Sequence, residues 1–465
     1  MAEAGDYFLT EKELADLFDE RVRDFVFRGY EPQESPPLVL VGGQPAAGKS
    51  QAMKAAVERH GAQLVPLTGD ELRFMHPRYA ELLNEQPMLF PNATGQASGA
   101  WVRMSIDYAF THGYGLMLEG VFRDAEMTVS TAERFAATGR PVEIVGLAVS
   151  GERSRLDSLH RYLDAGRWTP PSAHDSAYEM MPRTIAAVEA SPAVRRITLT
   201  DRTGTDLYVN ERLDNGLLSH AAEGADTLRA LRARQLPPQE ASEWLARYQD
   251  VVMEFTARGE VNATTSPLLH RLALDSGTVA AMLPARSPER LRHEAVRPMM
   301  DVLSDGPLSP ARPLPLLLVP DAELVARSAD LARADRAASL VTPVVPPPDP
   351  TRQLMESGAS PELIERARTS AREDSELLGA RESRAREQAG LRLQQRHLIT
   401  TETDRRRSLA PEAAQAENTL RLRIQETFRA ARTPIRPPAA PAPRLQGPSL
   451  GTGTAHGPRS RGRSL

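Results

Sequence analysis

Apolar residues in the first half of the chain gather in short runs, most of them followed by a stretch that reads as helix. The runs are Leu38–Val41, Gln63–Leu67, Gly115–Leu118, Val142–Val149 and Ile197–Thr200. Segments this short and this rich in apolar residues read as strands buried on both faces. Gly95–His112 reads as a helix that turns Trp101, Met104, Ile106 and Tyr108 to the core, and Glu152–Ala165 as one with Leu156, Leu159 and Leu163 on its apolar face. Ahead of the first strand, Thr10 stands as an N-cap before an acidic first turn, and Leu14, Leu17, Phe18, Val22 and Phe25 follow at helical spacing. Five strands alternating with helices predict a three-layer α/β fold with a mostly parallel sheet over residues 1–215.

From Leu217 the alternation stops. Trp244, Tyr248, Val252 and Phe255 share a helical face that reads as core packing, and Ser266-Pro267 and Ser287-Pro288 each open a further helix. These define a helical region over 216–341, and the proline-rich run 342–350 reads as a semi-rigid linker. Past Phe255 the one remaining aromatic residue is Phe428, which predicts no sizeable core in the last third. Residues 351–432 therefore read as a long, charged, solvated helical segment. The tail 433–465, basic and rich in Pro and Gly without one acidic residue, reads as disordered.

Composition narrows the class. A formal net charge of −4 argues against a general nucleic-acid binder. The chain has no cysteine, which excludes disulfides, thiolate metal sites and a cysteine nucleophile, and fits a cytoplasmic location. No stretch approaches the length of an apolar membrane span, and the acidic start lacks the pattern of a signal peptide. The three lysines are Lys12, Lys49 and Lys54.

One of those lysines falls in the motif that carries the chemistry. Gly43-Gln44-Pro45-Ala46-Ala47-Gly48-Lys49-Ser50 has the G-x-x-x-x-G-K-S spacing of a phosphate-binding loop, between a strand and a good helix former. Its backbone N–H groups would cradle nucleotide phosphates, Lys49 would reach the β/γ-phosphates, and Ser50 would hold Mg²⁺. The implied cofactors are ATP and Mg²⁺. Asp70 and Arg73 follow the second strand at its carboxyl end, the ligand side of an open α/β sheet. Asp70 reads either as a base for an attacking hydroxyl or as a helix cap. Glu119 ends the third strand, either as a Mg²⁺ or substrate ligand or paired with an arginine such as Arg123. Arg155 reads as solvated surface, whereas Arg161 and Arg167 are placed to close over a transferring phosphate.

Five runs together resemble the zeta-toxin family of small-molecule kinases: GGQPAAGKS at 42–50, GDELRFMHP at 69–77, GYGLMLEGVFR at 113–123, HRYLDAGRWTPPSAHD at 160–175 and LTDRTGTDLY at 199–208. The resemblance covers roughly residues 8–215 and implies a P-loop kinase that phosphorylates the 3′-hydroxyl of UDP-N-acetylglucosamine with ATP. It implies Lys49 and Ser50 as phosphate and Mg²⁺ contacts, Asp70 as the base, and Arg161 and Arg167 as the phosphate clamp. Glu119, Arg123 and Thr131 would lie at the substrate, and a separate antitoxin would be the protein partner. Two positions depart from the family pattern: Val121 stands in place of a hydroxyl residue, and Arg103 where some members carry an acidic substrate contact. They leave open a kinase for another hydroxyl compound, such as an antibiotic or nucleoside. A nucleotide-switched scaffold acting through the C-terminal helices is the reading from a different class.

Overall fold

The computed structural model describes residues 3–60, 63–120, 122–307, 314–339 and 350–432. Val121, all but Pro350 of the expected linker, and the tail 433–465 lie outside the described residues.

The first half is a doubly covered sheet. Strands β1 (Leu38–Gly42), β2 (Leu64–Thr68), β3 (Gly115–Gly120), β4 (Val142–Leu147), β5 (Arg196–Thr200) and β6 (Asp206–Glu211) form one sheet in the order β2-β3-β1-β4-β5-β6. The first five are parallel and β6 joins β5 antiparallel. The period of two is hidden in the apolar runs but visible in the packing. Leu38 and Leu40 of β1 join Val65, Leu67, Leu116 and Ile144 in the core on one face. Val39 and Val41 join Leu64, Met117, Val145 and Leu147 on the other, under Ala52, Met53 and Ala56 of the helix Lys49–His60. Because both faces are covered, β1 is apolar along its whole length and the charged residues of its neighbours lie near their ends, at Glu119 of β3 and Glu143 of β4.

The expected helices form, with Thr10 in a reciprocal cap: Glu13 N donates to Thr10 Oγ1, and Thr10 N donates to the Glu13 carboxylate at 2.8 Å. The helix expected at Gly95 starts earlier and spans Phe90–His112. Three expectations are corrected. The sheet has a sixth strand beyond the five expected, because β6 is a half-exposed edge strand whose short apolar run, Leu207-Tyr208-Val209, is flanked by Asp206 and by Asn210-Glu211. Arg155 is buried, as described below. The last third also contributes to a core: the helix Pro411–Arg432 buries Leu420 and Ile424 among Trp244, Tyr248, Met299 and Leu303. Leu420, Ile424 and partly buried Phe428 recur every four residues, enough for one docked helical face despite the charge around them. The preceding helix, Pro361–Arg407, is exposed along most of its length, as its composition suggests.

That second core also takes in Leu156, Leu159, Tyr162 and Trp168, so the helical region packs directly on the helix Gly151–Ala165 of the sheet half. Tyr162 stacks on Phe255 with centroids 5.7 Å apart, and Trp244 Nε1 donates to Glu152 O. Arg155 lies in the same seam, where its guanidinium makes a two-pronged pair with Asp275 at 2.7 and 2.9 Å. A charge on the helix Gly151–Ala165 is thus matched by one 120 residues further on.

Candidate active site

The phosphate-loop strand β1 lies between β3 and β4, where the order of chain crossovers reverses, and the candidate residues collect at the carboxyl ends of β1, β2 and β3. The loop closes in a tight turn with Ala46 at φ 60° and Gly48 at φ 93°. A Cβ on Gly48 would approach Arg202 to 3.3 Å, so glycine serves both the backbone angle and the packing there. Lys49 opens the following helix, with its side chain folded back over the loop. Its Nζ donates to Gly43 O at 3.0 Å and Gln44 O at 3.3 Å, and lies 3.4 Å from Glu119 Oε1. Burial lowers the Lys49 pKa, with Glu119 and Asp70 opposing that shift. Ser50, beside it, is exposed at the start of the helix.

Glu119 is in register with Val41 on one side and Thr68 on the other, which brings the end of β3 level with the ends of β1 and β2. Its partner is Lys49 rather than Arg123, and Arg123 is exposed beyond the strand. Beyond β3 the backbone turns at Phe122, which has φ 51°; its carbonyl accepts from Thr184 Oγ1 at 2.7 Å, and its ring covers Gly42. A residue with a side chain rarely adopts that angle, and such strain gathers where a site requires an exact backbone path.

Asp70 is the second residue of the short helix Gly69–Leu72, directly after β2. It does not cap that helix, whose N-cap is Thr68. Three guanidiniums converge on its half-exposed carboxylate instead. Arg73 Nε donates to Oδ1 at 3.0 Å, while Arg167 and Arg161 approach Oδ2 at 3.4 and 3.9 Å. Burial pushes the Asp70 pKa up, but the three arginines outweigh it and the net shift is downward. Arg73 is itself pinned by Pro91 O and Thr94 Oγ1 of the helix Phe90–His112. Burial and the neighbouring Arg167 lower the pKa of Arg161.

Lys49, Asp70, Arg73, Glu119, Arg161 and Arg167 are therefore one cluster. Thr131 does not join it through its hydroxyl, which donates to Met127 O within its own helix. Arg103 is exposed on the helix Phe90–His112. Glu71 is the one acidic neighbour that sequence reasoning passed over. Burial raises its pKa, and Glu119 and Asp70 push in the same direction. Its place beside Asp70 in GDEL was the available signal.

For a cation, the fit rests on oxygen donors. Among the described residues no group of three or more His, Cys, Asp or Glu forms a metal cage. Mg²⁺ in nucleotide sites needs few protein ligands besides phosphate oxygens, and exposed Ser50 and the half-buried Glu119 carboxylate match that requirement.

A parallel sheet with a phosphate loop after its central strand, and a carboxylate ringed by arginines at the same edge, defines a kinase-like P-loop protein. The Zeta toxin family model matches residues 23–213, the part of the chain that holds the sheet and the candidate site, and this N-terminal part is similar to that family. Toxin zeta of Enterococcus hirae is 27% identical over 209 residues, covering 43% of this chain and 71% of the relative. Toxin PezT of Streptococcus pneumoniae serotype 4 (strain ATCC BAA-334 / TIGR4) is 26% identical over 213 residues, covering 44% and 83%. A solved chain from the PezAT chromosomal toxin–antitoxin system of S. pneumoniae aligns over 53% of this chain and 99% of its own length, with 23% identity and a TM-score of 0.45.

Proposed function

We propose that the chain is an ATP-dependent kinase that transfers the γ-phosphate to the 3′-hydroxyl of UDP-N-acetylglucosamine and acts as the toxin of a toxin–antitoxin pair. The observation that carries the reading is Asp70, ionised and held by Arg73, facing Arg161 and Arg167 at the same edge as Lys49. Asp70 accepts the proton of the acceptor hydroxyl. The hydroxyl oxygen forms its bond to the γ-phosphorus as the bond to the β–γ bridging oxygen breaks and ADP leaves. Its lowered pKa makes Asp70 a weak base, suited to taking the proton late, when the hydroxyl oxygen is already bonding to phosphorus. Arg161 and Arg167 neutralise charge on the equatorial oxygens, and Lys49 exchanges its loop carbonyls for phosphate. Mg²⁺ bound with the nucleotide would be held by Ser50 and would neutralise phosphate charge. Glu119, with Arg123 and Thr131 beyond it, forms the acceptor side.

The relatives' toxin names and the PezAT system support a separate antitoxin as partner. Among the described residues no helix is long and apolar enough to cross a membrane. We assign residues 1–215 to the kinase domain and 216–341 to a helical region that buttresses it. Exposed Arg103 favours a second reading, in which the acceptor is another hydroxyl compound. Incubating the full chain with ATP, Mg²⁺ and UDP-N-acetylglucosamine tests the proposal. ADP release that depends on the sugar supports it, and ATP consumption indifferent to the sugar refutes the acceptor assignment.

A further inference from the structure

The helix Gly224–Arg232 lies outside the matched family region, yet its last residue reaches the phosphate loop. Arg232 is 6% exposed. Its guanidinium donates to Tyr178 O at 2.7 Å and to Gln44 Oε1 at 3.0 Å, touches Met181 Sδ, and lies over the Tyr178 ring. Its Nε has no hydrogen-bond partner, and among the described residues no carboxylate forms an ion pair with it. A buried cation surrounded only by neutral acceptors is costly, so something in the working state must offset it.

Its contact points to what that is. Gln44 is fully buried, and its amide is fixed on both sides: Nε2 donates to Val149 O at 2.8 Å and Ser154 Oγ at 3.2 Å, while Oε1 accepts from Arg232. Ser154 is braced in turn by His174, with Oγ 2.8 Å from Nε2. The backbone of Gln44 belongs to the loop, where its carbonyl accepts from Ala47 N and Lys49 Nζ.

We propose that Arg232 is a positioning residue for the phosphate loop, which fixes Gln44 from behind and lends an uncompensated positive charge that favours the β- and γ-phosphates of a nucleoside triphosphate. The inference rests on the reading of the loop as an ATP site. It makes the helical region a working part of nucleotide selection rather than a passive cover.

The test is calorimetric titration of the full chain with MgATP and with AMP, which lacks the β- and γ-phosphates, for wild type, R232Q and R232K, alongside unliganded melting temperatures. R232Q keeps a donor for Gln44 but loses the charge. ATP affinity is expected to fall by about tenfold or more and AMP affinity by less than about threefold. R232K, which keeps the charge, should hold an ATP-to-AMP affinity ratio within about threefold of wild type. ATP binding by R232Q equal to wild type overturns the inference. So does equal loss of ATP and AMP with a lowered unliganded melting temperature, which marks a structural role. Should R232Q not fold, a collapsed ATP-to-AMP ratio in R232K overturns it. A wild-type chain that binds no ATP refutes the loop reading itself.

Discussion

Asp70 sits among three guanidiniums, and each contact limits what its carboxylate does. Arg73 donates to it, and in the proposed mechanism Arg161 and Arg167 meet the transferring phosphate while Asp70 takes the proton, so its role is separable from nucleotide binding. D70N should lower turnover by about 10²–10⁴-fold, the range for a lost general base, while ATP affinity measured by calorimetry stays near wild type. Full activity in D70N would remove the base assignment. Gly42 makes a different single-residue claim. A Cβ there would overlap the Phe122 ring, at the turn beyond β3. G42A should therefore cost about 1–3 kcal/mol in denaturant unfolding and misplace Glu119, with a loss of activity beyond what the lost stability explains. Stability equal to wild type would show that the turn is not held as described.

The helix Gly151–Ala165 is the element that joins the two halves. Its Arg155–Asp275 pair is buried at 7% and 10% side-chain exposure, and the other carboxylate near Arg155, Asp175, is half-exposed at 3.5 Å, so removing Asp275 leaves the guanidinium largely uncompensated. D275N should destabilise the chain by about 3–5 kcal/mol, and R155M/D275L together should recover much of that loss in a double-mutant cycle. Additive losses would contradict the pairing. This helix also shows what was legible in the sequence. Its Leu156, Leu159 and Leu163 spacing announced an apolar face, as the short apolar-rich runs announced β1 to β5 and the glycine spacing announced the loop. Local pattern carried all of these. What escaped notice depends on partners far along the chain: Arg155 looks like any surface arginine until Asp275 is beside it, and Arg232 has no motif at all. Edge strand β6 escaped because it is half-exposed and its three apolar residues, Leu207-Tyr208-Val209, sit between polar ones. In the site, Lys49, Asp70 and Glu119 stood out at strand ends, but the Lys49–Glu119 contact depends on strand order, which adjacency in sequence does not reveal.

At the scale of the molecule, the second core gives the chain a pH dependence of its own. His293 is 2% exposed, edge-on to Tyr248, with neither ring nitrogen hydrogen-bonded. Burial, with Arg297 adding to it and Glu294 opposing, lowers its pKa from 6.5 to about 4. The unfolded chain takes up this proton near 6.5 and the folded chain only near 4, so the stability is present above about 6.5 and is lost as pH falls toward 4. The full effect is about 3 kcal/mol, and H293L should flatten the fall in unfolding midpoint across that window. An unchanged pH profile in H293L would place the acid sensitivity elsewhere. The same core ties the last described helix to the kinase half through Leu420, Ile424 and Tyr162. The most direct measurement of the central claim is identification, by mass spectrometry and phosphorus NMR, of what the full chain makes from ATP, Mg²⁺ and UDP-N-acetylglucosamine. The account predicts ADP and a nucleotide sugar carrying one added phosphate on the 3′-oxygen, absent with D70N. An unmodified sugar, or a phosphate elsewhere on it, would contradict the account.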